Sequence, residues 1–217
     1  NIMKQFLNED VRKQLTEILT EMKDPVYVKV YVDSLKCDTC TETHQLMQEM
    51  SGLNEKINYE LVETGGDKSI GAEYGIKMYP TIVVLDKDQE DKGVRFVGIP
   101  AGHEINSLLA ALIDMSGKPL DLDEKTIEAI KAIDTETNIK VFVTLSCPHC
   151  PGAVTKAHRI AMLNPYIKAE MIEAQTFPQF SSKYNVSSVP KIVINETHDF
   201  VGNQPIETFI DTIAKAD

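Results

Sequence analysis

The stretch "VFVTLSCPHCPGAV", residues 141–154, carries two cysteines with two residues between them, directly after an apolar, β-branched run. Such a pair, taken alone, serves equally as a zinc knuckle, a cluster ligand pair, a structural staple or a redox centre. A second pair, "CDTC" at 37–40, lies far upstream. How the two pairs are related decides the architecture.

Sliding the chain by 110 residues lays Cys37 on Cys147, Cys40 on Cys150, Tyr74 on Tyr184, Pro80 on Pro190 and Val83 on Val193, without a gap. Before the cysteines "KVYVDSLKC" matches "KVFVTLSC" with one residue deleted. After the prolines "RFVGIPAGHEI" matches "DFVGNQPIETF" across a shortened loop. The repeat of about 100 residues is large enough to be a domain. The segment "MSGKPLDLDEKT" between the copies reads as a helix stop followed by a new start, which sets the boundary at Gly117. Residues 1–117 and 118–217 are the two expected units.

Each copy has one order of elements. In the first, Val11, Leu15, Ile18, Leu19 and Met22 recur at helical spacing over 8–22. "VYVKVYV" then reads as a strand, the cysteines head a helix, and "INYELVE" is a second strand. "KSIGAEYGI" reads as a short helix and turn, "YPTIVVLD" and "GVRFVGI" as neighbouring strands, and "EINSLLAALIDM" as a last helix. The second copy gives helices at 123–133, 148–162, 177–184 and 206–216, and strands at 139–145, 167–173, 190–195 and 198–202. The fold class is α/β, two tandem units, each a central mixed sheet flanked by helices.

A net charge of −11 over 217 residues, with no basic stripe, argues against nucleic-acid or anionic-membrane binding. The longest apolar runs, such as "TIVVL" at 81–85, are far below the roughly 20 residues that span a bilayer. "NIMKQFLNEDVRKQL" reads as an amphipathic helix and not as a signal peptide. A soluble, cytoplasmic protein is expected. Four cysteines are too few for a disulfide-stapled secreted scaffold.

A cysteine in the first turn of a helix meets unpaired N–H groups and the positive end of the helix dipole, which favour the nucleophilic thiolate. Cys37 and Cys147 are therefore the expected attackers. Cys40 and Cys150, one turn on, would resolve. Pro148 and Pro151 fall where few helical N–H groups are needed. Zinc ribbons space their pairs far more closely than the 106 residues between Cys40 and Cys147. An iron–sulfur cluster would need another subunit or a small thiol, and a structural bridge across three residues constrains the unfolded chain little. No metal is expected. Pro80 and Pro190 each head a strand 43 residues after the first cysteine of their copy. The duplicated spacing favours a functional role, with cis bonds at Tyr79–Pro80 and Val189–Pro190.

A strand leading into C-x-x-C, followed some 40 residues later by a strand-heading proline, resembles the thioredoxin fold. Two such units, both with C-x-x-C, resemble the protein disulfide oxidoreductases of thermophilic archaea and bacteria, also described as glutaredoxin-like. The resemblance covers nearly the whole chain. It implies that Pro80 and Pro190 are cis and lie beside the cysteines, with the backbone of Tyr79 and Val189 offering a short edge to substrate peptide, which makes these four the expected substrate-binding residues. It also implies protein dithiol or disulfide substrates, a thioredoxin reductase as electron source, a cytosolic setting, and no cofactor beyond the redox-active disulfides Cys37–Cys40 and Cys147–Cys150.

Thioredoxins commonly carry a buried acid six residues before the first cysteine, where this chain has Tyr31 and Val141. Asp33, Glu60 and Glu170 are the substitutes the sequence offers. Between the cysteines, His149 would favour the Cys147 thiolate and a more oxidising couple, and Asp38 would oppose that of Cys37. Alternatively, Asp38 is only a favourable first-turn residue. His44, His103, His158 and His198 read as solvated or partly packed. Two other functions remain open: an electron relay similar to the tandem N-terminal part of the alkyl hydroperoxide reductase flavoprotein, and a metal-binding or peptide-holding module. "CDTC" weighs against the relay, which keeps C-x-x-C only in its second unit, as does the lack of a following flavin-binding half.

Overall fold

The architecture comes from a computed structural model that describes residues 5–34 and 37–217. The expected amphipathic helix at the N-terminus begins later than its sequence suggests, and residues 1–4 lie outside the described residues. Asn8 caps helix α1 (Glu9–Leu19) by accepting the Val11 N–H at 2.9 Å. Phe6 and Leu7 instead give their N–H groups to the Glu49 carboxylate.

In the first unit, strand β1 (Val26–Val32) leads through helix α2 (Cys40–Ser51) to β2 (Ile57–Glu63), which pairs with it in parallel. A 3-10 turn, Ala72–Tyr74, precedes the antiparallel strands β3 (Thr81–Leu85) and β4 (Asp91–Val97). A second 3-10 turn, Gly102–Glu104, opens helix α3 (Ile105–Met115). Gly117, at φ 97°, ends that run in the left-handed conformation expected after a helix. The second unit repeats the plan: α4 (Glu124–Lys131), β5 (Thr137–Val143), α5 (Cys150–Met162), β6 (Ile167–Glu173), α6 (Pro178–Lys183), β7 (Lys191–Ile194), β8 (His198–Val201) and α7 (Ile206–Lys215). The two copies differ where α6 takes the place of the Ala72–Tyr74 turn.

The two four-stranded sheets are one. β4 pairs in parallel with β6, giving the order β2-β1-β3-β4-β6-β5-β7-β8. The repeat implies two sheets but carries no sign of this pairing. Gly93 makes it fit: at φ 80°, a Cβ there would sit 2.4 Å from the Ile167 carbonyl oxygen. His158 on α5 ties the joint from above, its Nε2–H donating to the Arg95 carbonyl at 2.9 Å. It is 2% exposed and edge-on to Phe96, so the expectation of a solvated or partly packed residue is corrected. Helix α5 crosses onto the other unit's strand, which the repeat does not reveal.

Strand alternation explains the layers, because successive side chains point to opposite faces. Val28, Val30, Ile82, Val84, Ile139, Val141, Ile192 and Ile194 enter one continuous core shared by both units and covered by the long helices. Burying each contributes about 2 kcal/mol. Tyr31, Val83 and Leu85 point the other way into a small cluster, and Val97, Phe142 and Val193 into another. Among the described residues, the Ala72–Tyr74 turn and α6, with their flanking loops, supply the side chains packed on this thinner face, such as Tyr74, Phe180 and Tyr184. No helix among the described residues is long and apolar enough to cross a membrane.

Candidate redox site

Each β-branched strand, β1 or β5, delivers the chain to a tight turn in which the cysteine pair forms a disulfide, Cys37–Cys40 and Cys147–Cys150. The helices start later than expected: Cys40 and Cys150 are their first residues, and Cys37 and Cys147 lie before the caps Thr39 and His149. The physical reason is that residue 39 has a non-helical backbone, φ −124° and ψ 25°, and the first helical bond in that unit is donated by Thr43 to the Thr39 carbonyl. Pro151, not Pro148, takes the early helical position. The helix dipole therefore reaches the first cysteine end-on. Asp38 precedes the cap rather than occupying the first turn, and both Asp38 and His149 face solvent.

The first cysteine of each pair is partly exposed, as is Cys40, and Cys150 is fully buried, so burial distinguishes the two cysteines in the second unit alone. An attacking sulfur has to be reached by a partner, and a resolving one does not. Tyr79–Pro80 and Val189–Pro190 are both cis. Cys147 Sγ lies 3.9 Å from the Val189 carbonyl oxygen, and Tyr79 lines the same cavity as Cys37. Each strand-heading proline thus brings the residue before it to its own cysteine pair, although the two sites are 110 positions apart in the chain.

The acids fall differently. Asp33 is 8% exposed and shares the cavity of Cys37. Glu60 is exposed on β2 opposite Lys29, and Glu170 on β6 accepts from Asn138 Nδ2 at 2.9 Å over the joint between the units. Neither lines the cavity of Cys37. Tyr31, where thioredoxins carry the acid, is 2% exposed, and burial together with neighbouring carboxylates raises its hydroxyl pKa to about 12.

Sequence reasoning missed Glu104. Its side chain is 0% exposed, one carboxyl oxygen accepts from Ser107 Oγ at 2.6 Å, and the other has no partner among the described residues. Burial raises its pKa to about 7. The 3-10 turn that carries it belongs to the first unit but packs on α5, the helix that begins at Cys150. The His103 N–H donates at 2.9 Å to the carbonyl of Leu145, two residues before Cys147. Gly102 permits the approach, since a Cβ there would meet that same oxygen at 2.6 Å. In the sequence Glu104 is an ordinary acid at a helix start and matches Thr208 in the repeat, so nothing marked it. The other residues stay apart: His44 bonds Tyr59 at 2.6 Å, and among the described residues no group of three His, Cys, Asp or Glu could hold a metal ion.

Residues 137–215 match the family model described as a thioredoxin domain. The structure of a protein disulfide oxidoreductase from Aeropyrum pernix is 32% identical, with 99% of this chain and 95% of that one covered and a TM-score of 0.88. A structure of the alkyl hydroperoxide reductase protein AhpF from Enterococcus faecalis is 29% identical, with 96% and 100% covered and a TM-score of 0.90. The corresponding alkyl hydroperoxide reductase protein from Pseudomonas aeruginosa is 30% identical over 97% of this chain, but the chain spans only 38% of that protein's length. A Bacillus subtilis protein named NADH dehydrogenase is 27% identical over 94% of the chain, again spanning 37% of the relative. These likenesses agree with the fold and with this chain's two disulfides and two cis prolines, and the chain belongs to the tandem thioredoxin-fold family that includes the archaeal protein disulfide oxidoreductase.

Proposed function

We propose that the chain reduces, forms or isomerises disulfides in protein substrates through two centres, one in residues 1–117 and one in residues 118–217. The observation that carries this reading is the duplication of one constellation: a partly exposed first cysteine, a second cysteine at the helix start, and a cis-proline edge beside them. In the reducing direction the Cys147 thiolate attacks a substrate disulfide. A mixed disulfide forms and one substrate thiolate leaves. Cys150 then loses its proton and attacks Cys147 Sγ, releasing the second substrate thiolate and leaving the Cys147–Cys150 disulfide. Two electrons pass to the substrate, and a dithiol donor restores them. Cys37 and Cys40 act alike.

The backbone of Tyr79 and Val189 holds the substrate strand by edge hydrogen bonds, and cis Pro80 and Pro190, whose carbonyls accept from Gly98 and Gly202, shape that edge. Glu104, with its pKa near 7, is suited to take the proton of buried Cys150 and return it to the leaving thiolate. Asp33, which lines the cavity of Cys37, is the proposed proton acceptor of the first centre. Asp38 and His149 tune the two couples apart. A thioredoxin reductase in the cytoplasm is the proposed electron source.

A second reading is a relay that passes electrons from a flavoprotein to a peroxide-reducing partner. The 30% identity to the Pseudomonas aeruginosa alkyl hydroperoxide reductase protein across 97% of this chain supports it. The pair at Cys37 and Cys40 favours the first reading, because a single-centre relay has no use for it. Dithiothreitol-driven reduction of insulin by wild type, Cys37→Ser, Cys147→Ser and the double variant tests the proposal. Each single variant should keep part of the activity and the double variant none. An active double variant would refute it.

A further inference from the structure

The two centres open onto different surroundings. The Cys37 cavity, about 630 Å³, is not made by its own unit alone: Phe177, Pro178 and Phe180 from the loop and helix α6 of the second unit form its far wall, against Met78. Lys77, Met78 and Phe180 also line a neighbouring cleft of about 560 Å³, so the two spaces adjoin along these three residues. That cleft lies over the joint on the thin face of the sheet, between the repeat-related Tyr74 and Tyr184.

The cleft is cationic, although the chain carries −11 overall. Arg95, Lys140, Lys168, Lys183 and Lys77 line it against Glu170 and Glu196. Arg95 is neutralised by Asp91 at 2.7 Å and Lys140 by Glu196 at 2.8 Å. Lys77, Lys168 and Lys183 have no carboxylate within 4.0 Å among the described residues. The cavity at Val189, whose carbonyl oxygen lies 3.9 Å from Cys147 Sγ, is unlike this, although Cys147 does not itself line it. The cavity of about 670 Å³ that includes Val189 is lined by Thr144, Ser181, Ser182, Asn185 and Ser187 among others, with no charged side chain.

We infer that the Cys37 centre selects disulfide segments with an apolar side chain beside the cysteine and carboxylates a few residues further on, whereas the Cys147 centre is indifferent to charge. The apolar side chain enters the wall of Met78, Phe177 and Phe180. An extended segment advances about 3.3 Å per residue, so a few residues carry its carboxylates past Met78 towards the lysines of the neighbouring cleft. Asp33 and Asp38 line the Cys37 cavity together with Lys68 and Lys77, so the charges there balance, and the excess of positive charge that would favour carboxylates lies further along, in the neighbouring cleft. This rests on the proposed thiol–disulfide function and names the substrate class of one of its centres.

Two single-centre forms test it: Cys147→Ser/Cys150→Ser, and Cys37→Ser/Cys40→Ser. Each is given three disulfide peptides that differ only in having Glu, Gln or Lys at the distal positions. The first form should rank them Glu, Gln, Lys in kcat/KM, with Glu over Lys by about tenfold, equivalent to ~1.4 kcal/mol. That ratio should shrink with added salt, because exposed charges are screened. Lys77→Gln/Lys168→Gln/Lys183→Gln should bring it close to one. The second form should treat the three peptides alike.

The same ratio is readable without removing either first cysteine. A chain carrying Cys40→Ser and Cys150→Ser, offered the Glu and Lys peptides together, should trap the Glu peptide preferentially at Cys37 only. Equal rates on all three peptides, or a preference that survives the lysine substitutions, would overturn the inference while leaving the enzyme reading intact. Failure of both single-centre forms on every peptide would overturn the function beneath it.

Discussion

Glu104→Gln removes a charge while keeping the size and the hydrogen-bonding capacity of the side chain. In the folded chain burial raises the Glu104 pKa from 4.5 to about 7. The folded state therefore binds more protons than the unfolded state between those values, and Glu104 lowers stability as pH rises through them. At ~1.36 kcal/mol per unit, the difference amounts to about 3 kcal/mol, fully expressed above pH 7 and absent below pH 4.5. Urea unfolding of wild type and variant should give curves that separate in the variant's favour by about that amount on going from pH 4.5 to pH 8. Taking the difference cancels every other titrating group. In a Cys37→Ser/Cys40→Ser background the same substitution should slow release of trapped substrate from Cys147 by about 100-fold, the low end of acid–base contributions. Stability differences that do not change with pH would refute the burial argument. Unchanged release would show that Cys150 gives its proton elsewhere.

His158, pushed down to about 4 by burial, acts in the opposite direction. Its folded pKa is below the unfolded 6.5, so stability is lost as pH falls from 6.5 towards 4, by about 3 kcal/mol. Urea titrations of His158→Gln should show that slope flattened. Gly93→Ala should destabilise the chain by about 2–4 kcal/mol, since its Cβ would meet the Ile167 carbonyl where β4 joins β6; a melting temperature equal to wild type would contradict the tight joint. Equilibration of the two single-centre forms in glutathione buffers should show Cys147–Cys150 as the more oxidising couple, and exchanging Asp38 and His149 should reverse the order.

What could be read from the sequence was whatever the duplication carries. The order of elements, the cis prolines and the pairing of each proline with its own cysteines all follow from a 110-residue shift that strand and helix periodicity then interpret. What could not be read was whatever one copy does to the other. The β4–β6 pairing, the burial of His158, the arrival of Glu104 at α5 and the wall that Phe177 and Phe180 build beside Cys37 are all contacts between copies. A repeat is silent about those, because an internal shift compares copies without docking them. The helix starts were misplaced for a local reason: the turn holding each disulfide uses the residues that would otherwise form the first helical turn.

The most direct measurement of the central claim is mass spectrometry of the mixed disulfides trapped when a chain carrying Cys40→Ser and Cys150→Ser reacts with a disulfide-bonded protein. Two attacking cysteines predict substrate attached covalently at both Cys37 and Cys147. Substrate attached at neither, with both thiols reduced at the start, would contradict the account.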